Sequence, residues 1–129
     1  MDSDVMVVDD SAAIRKILQR VLRQTGMPIG TIYEAGDGGE ALEHLKTHKI
    51  DLVLTDINMP KMDGLQLLSA MKAAPQWNAI PVMMITTEGG ETKVSEAVRL
   101  GAAGYVRKPF TADQIKEKLS GIVGLALSL

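Results

Sequence analysis

Five strand-like runs, each followed by a segment with apolar residues at helical spacing, constrain this chain more than any other feature. Val5-Met6-Val7-Val8 precedes Ile14, Ile17, Leu18, Val21 and Leu22. Thr31-Ile32-Tyr33-Glu34-Ala35 precedes Ala41, Leu42 and Leu45, and Asp51-Leu52-Val53-Leu54-Thr55-Asp56 precedes Leu65, Leu68 and Met71. Pro81-Val82-Met83-Met84-Ile85-Thr86 precedes Val94, Ala97 and Val98, and Gly104-Tyr105-Val106-Arg107 precedes Ile115, Leu119 and Ile122. Strands that alternate with helices predict a parallel sheet covered on both faces by right-handed crossovers. The consecutive apolar residues Leu52-Val53-Leu54 suit a strand buried on both faces. The more polar Thr31–Ala35 run suits a sheet edge.

Punctuation agrees with this reading. Ser11 or Asp10 is placed to cap the first helix, and Gly26 lies just past its end. Gly36-Asp37-Gly38-Gly39 turns the chain into the second helix, and Asn58-Met59-Pro60-Lys61-Met62-Asp63-Gly64 reads as a loop. Pro75 stops the third helix, Glu88-Gly89-Gly90 is a turn, and Gly101 closes the fourth helix. No linker, repeat or low-complexity tract interrupts the pattern, so a single domain over residues 1–129 is expected, without a following effector domain.

Composition excludes several classes of function. The 129 residues contain no Cys, which rules out disulfides, thiolate metal sites and thiol catalysis. A net charge of −2 offers no electrostatic case for nucleic acid. No apolar run approaches the roughly 20 residues of a membrane span, and Met1-Asp2-Ser3-Asp4 is acidic where a secretory signal is basic. A soluble cytoplasmic protein is therefore expected. With 3% aromatic residues and eight Met, the core must be aliphatic. On the first helix Arg15, Lys16, Gln19, Arg20 and Arg23 form a basic face, expected to be solvated, with docking of an acidic partner as the alternative. His44 and His48 are expected at the surface rather than as ligands.

Parallel strands put their C-terminal ends on one edge, and that edge collects chemistry. Asp9-Asp10, Asp56, Thr86 and Lys108 all come to it: three carboxylates, a hydroxyl and an ammonium. Crowded carboxylates repel, and a hard divalent cation is the natural remedy; Mg²⁺ takes such oxygen ligands. The lack of accompanying His or Cys argues against a transition metal. Such a site suits phosphoryl transfer, with a carboxylate as nucleophile and the cations and hydroxyl neutralising phosphoryl oxygens.

These residues carry a resemblance. Asp9-Asp10 after the first strand, Asp56 followed by Asn58-Met59-Pro60 and Met62-Asp63-Gly64, Thr86 ending the fourth strand and Lys108-Pro109-Phe110 after the fifth resemble the response-regulator receiver domain. Met83-Met84-Ile85-Thr86, Gly104-Tyr105-Val106 and Lys108-Pro109-Phe110-Thr111-Ala112 are most similar to CheY-like chemotaxis receivers. The resemblance runs from Val5 to the last helix. It implies a flavodoxin-like (βα)5 doubly wound fold with strand order 2-1-3-4-5. It also implies that Asp56 accepts a phosphoryl group from the phosphohistidine of a sensor histidine kinase or phosphotransfer domain. Asp10, Asp56 and the Asn58 backbone carbonyl are implied to bind Mg²⁺, with Asp9 helping through water. Lys108 is implied to pair with phosphoryl oxygens, and Lys108-Pro109 to be a cis peptide bond.

Thr86 is implied to shift toward the phosphate and Tyr105 to swing inward, remodelling the face made by the fourth helix, fifth strand and fifth helix. Lys118 matches a position on that partner-binding face, and a flagellar switch protein is an implied target. A monomer or weak dimer is expected. Asn58 and Glu88 match the residues that tune dephosphorylation in fast-decaying receivers, whereas Thr87 stands where Ala or Gly is usual. A short-lived phosphoform set by water access is therefore expected. Ile57 follows the acceptor where CheY has Trp, and the only Trp, Trp77, falls in a loop near the far edge.

Two rival readings are open. Gly36-Asp37-Gly38-Gly39-Glu40-Ala41 fits the dinucleotide fingerprint G-x-G-x-x-A after a strand, although Asp37 would put a carboxylate into a pyrophosphate cradle. An aspartate-nucleophile phosphatase of haloacid dehalogenase type would carry a second Asp two residues after the nucleophile, where Asn58 stands.

Overall fold

A computed structural model describes residues 3–59, 61–86, 91–108 and 110–127, with backbone alone for Glu91 and residues 121–127. Its strands are β1 (Ser3–Val8), β2 (Ile29–Ala35), β3 (Leu52–Asp56), β4 (Val82–Thr86) and β5 (Gly104–Arg107). The helices between and after them are α1 (Ala12–Gln24), α2 (Gly38–Thr47), α3 (Gly64–Ala73), α4 (Glu91–Arg99) and α5 (Ala112–Leu127). All strand pairs are parallel and the order is β2-β1-β3-β4-β5, the flavodoxin-like arrangement.

The period-two geometry of a strand splits the core into two layers. Met6, Val8, Val53, Val82 and Met84 face one way and pack with Ala41 and Leu45 of α2, Leu67, Leu68 and Met71 of α3 and Ala97 of α4. Val5, Val7, Leu52, Leu54, Met83, Ile85 and Val106 face the other way, against Leu18 and Leu22 of α1 and Ile115 and Leu119 of α5. Leu54 is completely buried at the centre of the sheet. Burial of a side chain of that size contributes about 2 kcal/mol.

Local signals start the helices. Ser11, rather than Asp10, caps α1, its side chain accepting a hydrogen bond from the Ile14 N–H. Asp37 caps α2 and Asp63 caps α3, the latter with Gln66 in a reciprocal capping box.

Two apolar residues assigned to buried helix faces lie outside them. Ile17 is 44% exposed and Val98 56% exposed, because each sits at the rim of its helix's apolar stripe, where the sheet no longer reaches. β2 begins at Ile29, two residues before the polar run that marked it. The basic face of α1 is only partly solvated. Arg15 and Lys16 pair with Glu34 of β2 at 3.0 and 3.1 Å, and Arg23 donates to the Ile29 and Gly30 carbonyls. Three of its cations thus tie the helix to the edge strand.

Candidate functional site

The strand order positions the site. β1 and β3 are neighbours, yet the chain leaves β1 toward the α1 and α5 layer and leaves β3 toward the α3 layer. The diverging loops open a crevice at the carboxyl edge, where doubly wound sheets bind ligands. Asp9 and Asp10 follow β1, and Asp56 ends β3 directly beside them. Carboxylate oxygens of all three lie within 4.8 Å of one another. Asp9 and Asp56 are buried and Asp10 is exposed, so the cluster opens to solvent on the Asp10 side.

Lys108, just past β5, reaches across β4 to this cluster. Its Nζ lies 3.2 Å from Asp9 Oδ2 and 3.6 Å from Asp56 Oδ2. The Lys108 backbone N–H donates to the Thr86 carbonyl at 2.7 Å, which anchors the lysine to the end of β4. Thr86 is buried at that end. Asp9 is fixed from the other side, since its Oδ1 accepts from the Ser11 N–H at 2.9 Å.

Three carboxylates against one ammonium leave the crevice electrostatically unbalanced. Burial pushes the Asp56 carboxyl above its ordinary range; Lys108 pulls it back, Asp9 and Asp10 push it further up, and the Asn58 N–H draws it down. That N–H lies 3.4 Å from Asp56 Oδ1. A group held this way gains from a second cation close by. The donor set, carboxylate oxygens with neither His nor Cys, fits a hard divalent ion.

The loop after Asp56 is shaped by close backbone approach. Gly64 N donates to the Ile57 carbonyl at 2.8 Å, and a Cβ on Gly64 would meet the Asp56 carbonyl oxygen and lie 2.9 Å from Ile57 Cα. Lys61 turns the loop in the left-handed region with φ 66°. Met62 packs into the α2–α3 core layer and lies over Gly38.

Tyr105 on β5 is 36% exposed, with the Lys118 ammonium 5.3 Å from its ring centroid. Thr87, Glu88 and the Lys108-Pro109 peptide lie outside the described residues.

The Gly36–Ala41 turn does not form a phosphate cradle. The Asp37 carboxylate accepts from the Glu40 N–H and the Glu40 carboxylate accepts from the Gly36 N–H, so carboxylates occupy the turn's amides.

Some contacts near the site were not legible in sequence. Lys93 of α4 donates to Asn58 Oδ1 across 35 residues, and no spacing signals such a pair. His48 stacks on Tyr33 with ring centroids 4.4 Å apart, His44 lies tilted against the same ring at 5.6 Å, and His44 Nε2 bonds the Glu34 carbonyl. The i, i+4 spacing of the two His was the available signal for that cluster.

Comparison with known proteins agrees with the geometry. Residues 5–120 match the family described as the response regulator receiver domain. The chain belongs to this family. It is 38% identical over 121 residues to a chemotaxis protein CheY homolog of Campylobacter jejuni, covering 93% of this chain and 92% of the relative. It is 42% identical over 118 residues to chemotaxis protein CheY-3 of Vibrio cholerae, covering 92% and 89%. The structure of the chemotaxis response regulator CheY4 of Vibrio cholerae superimposes with a TM-score of 0.83 at 31% identity, over 95% of this chain and 99% of that one. The chain is therefore a receiver domain of a two-component response regulator, a family of signalling switches. Receiver domains generally bind Mg²⁺ at an acidic pocket, and the Asp9, Asp10 and Asp56 cluster has that composition. Neither the phosphatase nor the dinucleotide reading is favoured by these matches.

Proposed function

We propose that this receiver is a phosphorylation-controlled switch whose acceptor is Asp56. One observation carries the reading: a buried strand-end carboxylate stands beside two more, with a single lysine bridging two of the three. In the transfer step an Asp56 carboxylate oxygen attacks the phosphorus of a phosphohistidine on a sensor kinase or phosphotransfer domain. The P–N bond breaks as the P–O bond forms, and the leaving imidazole nitrogen keeps the electron pair and takes a proton. Hydrolysis of the acyl phosphate returns the carboxylate and releases inorganic phosphate. The protein catalyses only these two reactions, both on itself.

Each group has a place in that chemistry. Lys108 leaves its bridge to Asp56 and pairs with a phosphoryl oxygen, which neutralises charge as it develops. The Asp9 bridge and the Thr86 carbonyl hold the lysine in reach. Asp9, Asp10, Asp56 and the Asn58 backbone carbonyl would hold Mg²⁺, which supplies Lewis-acid neutralisation of phosphoryl oxygens when bound. Asn58, Thr87 and Glu88 tune the rate at which water reaches the phosphoryl group.

The readout is the α4, β5 and α5 face. Thr86 moves to the phosphoryl oxygens and Tyr105 turns inward from its exposed position under Lys118, which reshapes a groove of about 400 Å³ lined by Val98, Ala102, Tyr105 and Lys118. The names of the relatives support a place in chemotaxis, with a flagellar switch protein as the target of this face. We place the protein in the cytoplasm, acting as one receiver unit and as a monomer or weak dimer, without contact to nucleic acid or membrane. No helix among the described residues is long and apolar enough to cross a membrane.

The test is incubation with acetyl phosphate or phosphoramidate and Mg²⁺, followed by intact mass. Wild type gains one phosphoryl group and Asp56→Asn gains none; equal labelling of both overturns the assignment.

A further inference from the structure

Lys93, in the first turn of α4, is exposed, and so is Asn58 in the loop after β3. Their side chains nonetheless meet, the Lys93 ammonium donating to Asn58 Oδ1. Asn58 is at the same time tied to the acceptor, through its backbone N–H to Asp56 Oδ1. Asn58 thus makes two separate contacts, its side chain to α4 and its backbone to the carboxylate that takes the phosphoryl group. The cation that bridges to Asp56 itself is Lys108, so Lys93 acts one residue removed.

The chemistry of a carboxamide gives this contact a consequence. A water that attacks a phosphoryl group is activated by donating hydrogen bonds, and the Asn58 carboxamide, two residues past Asp56, carries a neutral acceptor, Oδ1. While Lys93 occupies that oxygen, the carboxamide is turned toward α4 and one of its two lone pairs is taken. Freed from the lysine, it can turn to the crevice and hold water there. We propose that Lys93 is a positioning residue that holds the Asn58 carboxamide away from the attacking water and so lengthens the life of the phosphorylated state. The proposal rests on Asp56 being the acceptor.

The same contact joins the acceptor loop to the helix at the start of the signalling face. Lys93 thereby links the loop after β3 to α4.

The experiment follows loss of the phosphoryl group by mass after removal of acetyl phosphate, in wild type, Lys93→Ala, Lys93→Arg, Asn58→Ala and the Lys93→Ala/Asn58→Ala double variant. Loss of an exposed charged contact predicts hydrolysis about two- to fivefold faster in Lys93→Ala. Lys93→Arg, which keeps a donor, stays near the wild-type rate. In the Asn58→Ala background the Lys93→Ala change has no further effect, because the carboxamide it positions is gone. A second readout needs neither phosphate nor metal. The Asn58 side-chain amide resonances of the unmodified protein shift in Lys93→Met and not in Lys93→Arg. Unaltered hydrolysis in Lys93→Ala, or an equal acceleration with and without Asn58, overturns the proposal. Failure of the wild type to take up any phosphoryl group instead overturns Asp56 as acceptor, while the amide shift still tests the contact.

Discussion

Replacing Lys108 with methionine separates the electrostatics of the crevice from its packing. The four-carbon stem is retained in length, but the ammonium that bridges Asp9 and Asp56 at 3.2 and 3.6 Å is lost. Two unit charges at about 4 Å attract by about 4 kcal/mol at the effective dielectric of a partly buried site. Lysine desolvation offsets much of that attraction, yet breaking a buried pair typically costs 3–5 kcal/mol because the partner is left uncompensated. The Lys108 side chain is 20% exposed, so water takes over part of its role. We expect Lys108→Met to lose about 2 kcal/mol in metal-free buffer at pH 7, or roughly 6–10 °C in Tm for a domain of this size. Urea denaturation in chelator gives the number directly. Added Mg²⁺ then stabilises the variant more than wild type, because its crevice carries one more uncompensated negative charge. A site tenfold in excess of its dissociation constant supplies about 1.4 kcal/mol. Equal stability of Lys108→Met and wild type without metal refutes the claim that this lysine compensates the cluster.

The remaining predictions address the acceptor, its loop and the reporter residue. Asp56 has a raised folded pKa, so its contribution to stability is complete below the ordinary value near 3.8 and is lost as pH rises through the folded value. Asp56→Asn therefore becomes more stable relative to wild type across that window and stays so at pH 7 in chelator; denaturation at several pH values shows the reverse trend if the reasoning is wrong. Gly64→Ala forces backbone to move away from Ile57 Cα and costs about 2 kcal/mol, with slower phosphorylation, whereas Gly38→Ala meets side-chain atoms of Met62 rather than backbone and costs less; thermal melts rank the two. Asp63→Ala removes the side-chain half of the α3 capping box, leaving the backbone N–H that donates to Gln66, and costs about 1 kcal/mol by urea denaturation. Trp77 follows α3 and precedes β4, at the edge opposite Asp56, so its fluorescence changes little on phosphorylation; quenching of the kind a neighbouring Trp gives would contradict that placement.

The sheet was legible because its signals are local. Leu52-Val53-Leu54 needs no partner to read as a buried strand, and Ser11, Asp37 and Asp63 cap helices by hydrogen bonds that span three residues. The crevice was legible for a different reason: parallel strands deliver Asp9, Asp56 and Lys108 to one edge whatever the loops do. Ile17 and Val98 were misplaced because helical spacing gives the direction of a face but not the width of the sheet beneath it. The contacts of Arg15 and Lys16 with Glu34 depend on how α1 lies against an edge strand, which composition does not encode. Lys93 was invisible for the same reason, since no local signal says which loop the first turn of α4 meets.

The two lysines at the crevice differ in what their positions allow. Lys108 is half-buried and held through its own backbone to the end of β4, so its ammonium answers to Asp9 and Asp56. Lys93 is exposed and makes its contact to a neutral amide, a bond that contributes little to stability and serves to orient the carboxamide. A site that must take up charge quickly and release it again gains from both kinds of cation. In the proposed chemistry the first neutralises charge at Asp56. The second, as proposed, orients the Asn58 carboxamide from α4, the helix whose Val98 lies beside Tyr105 and Lys118.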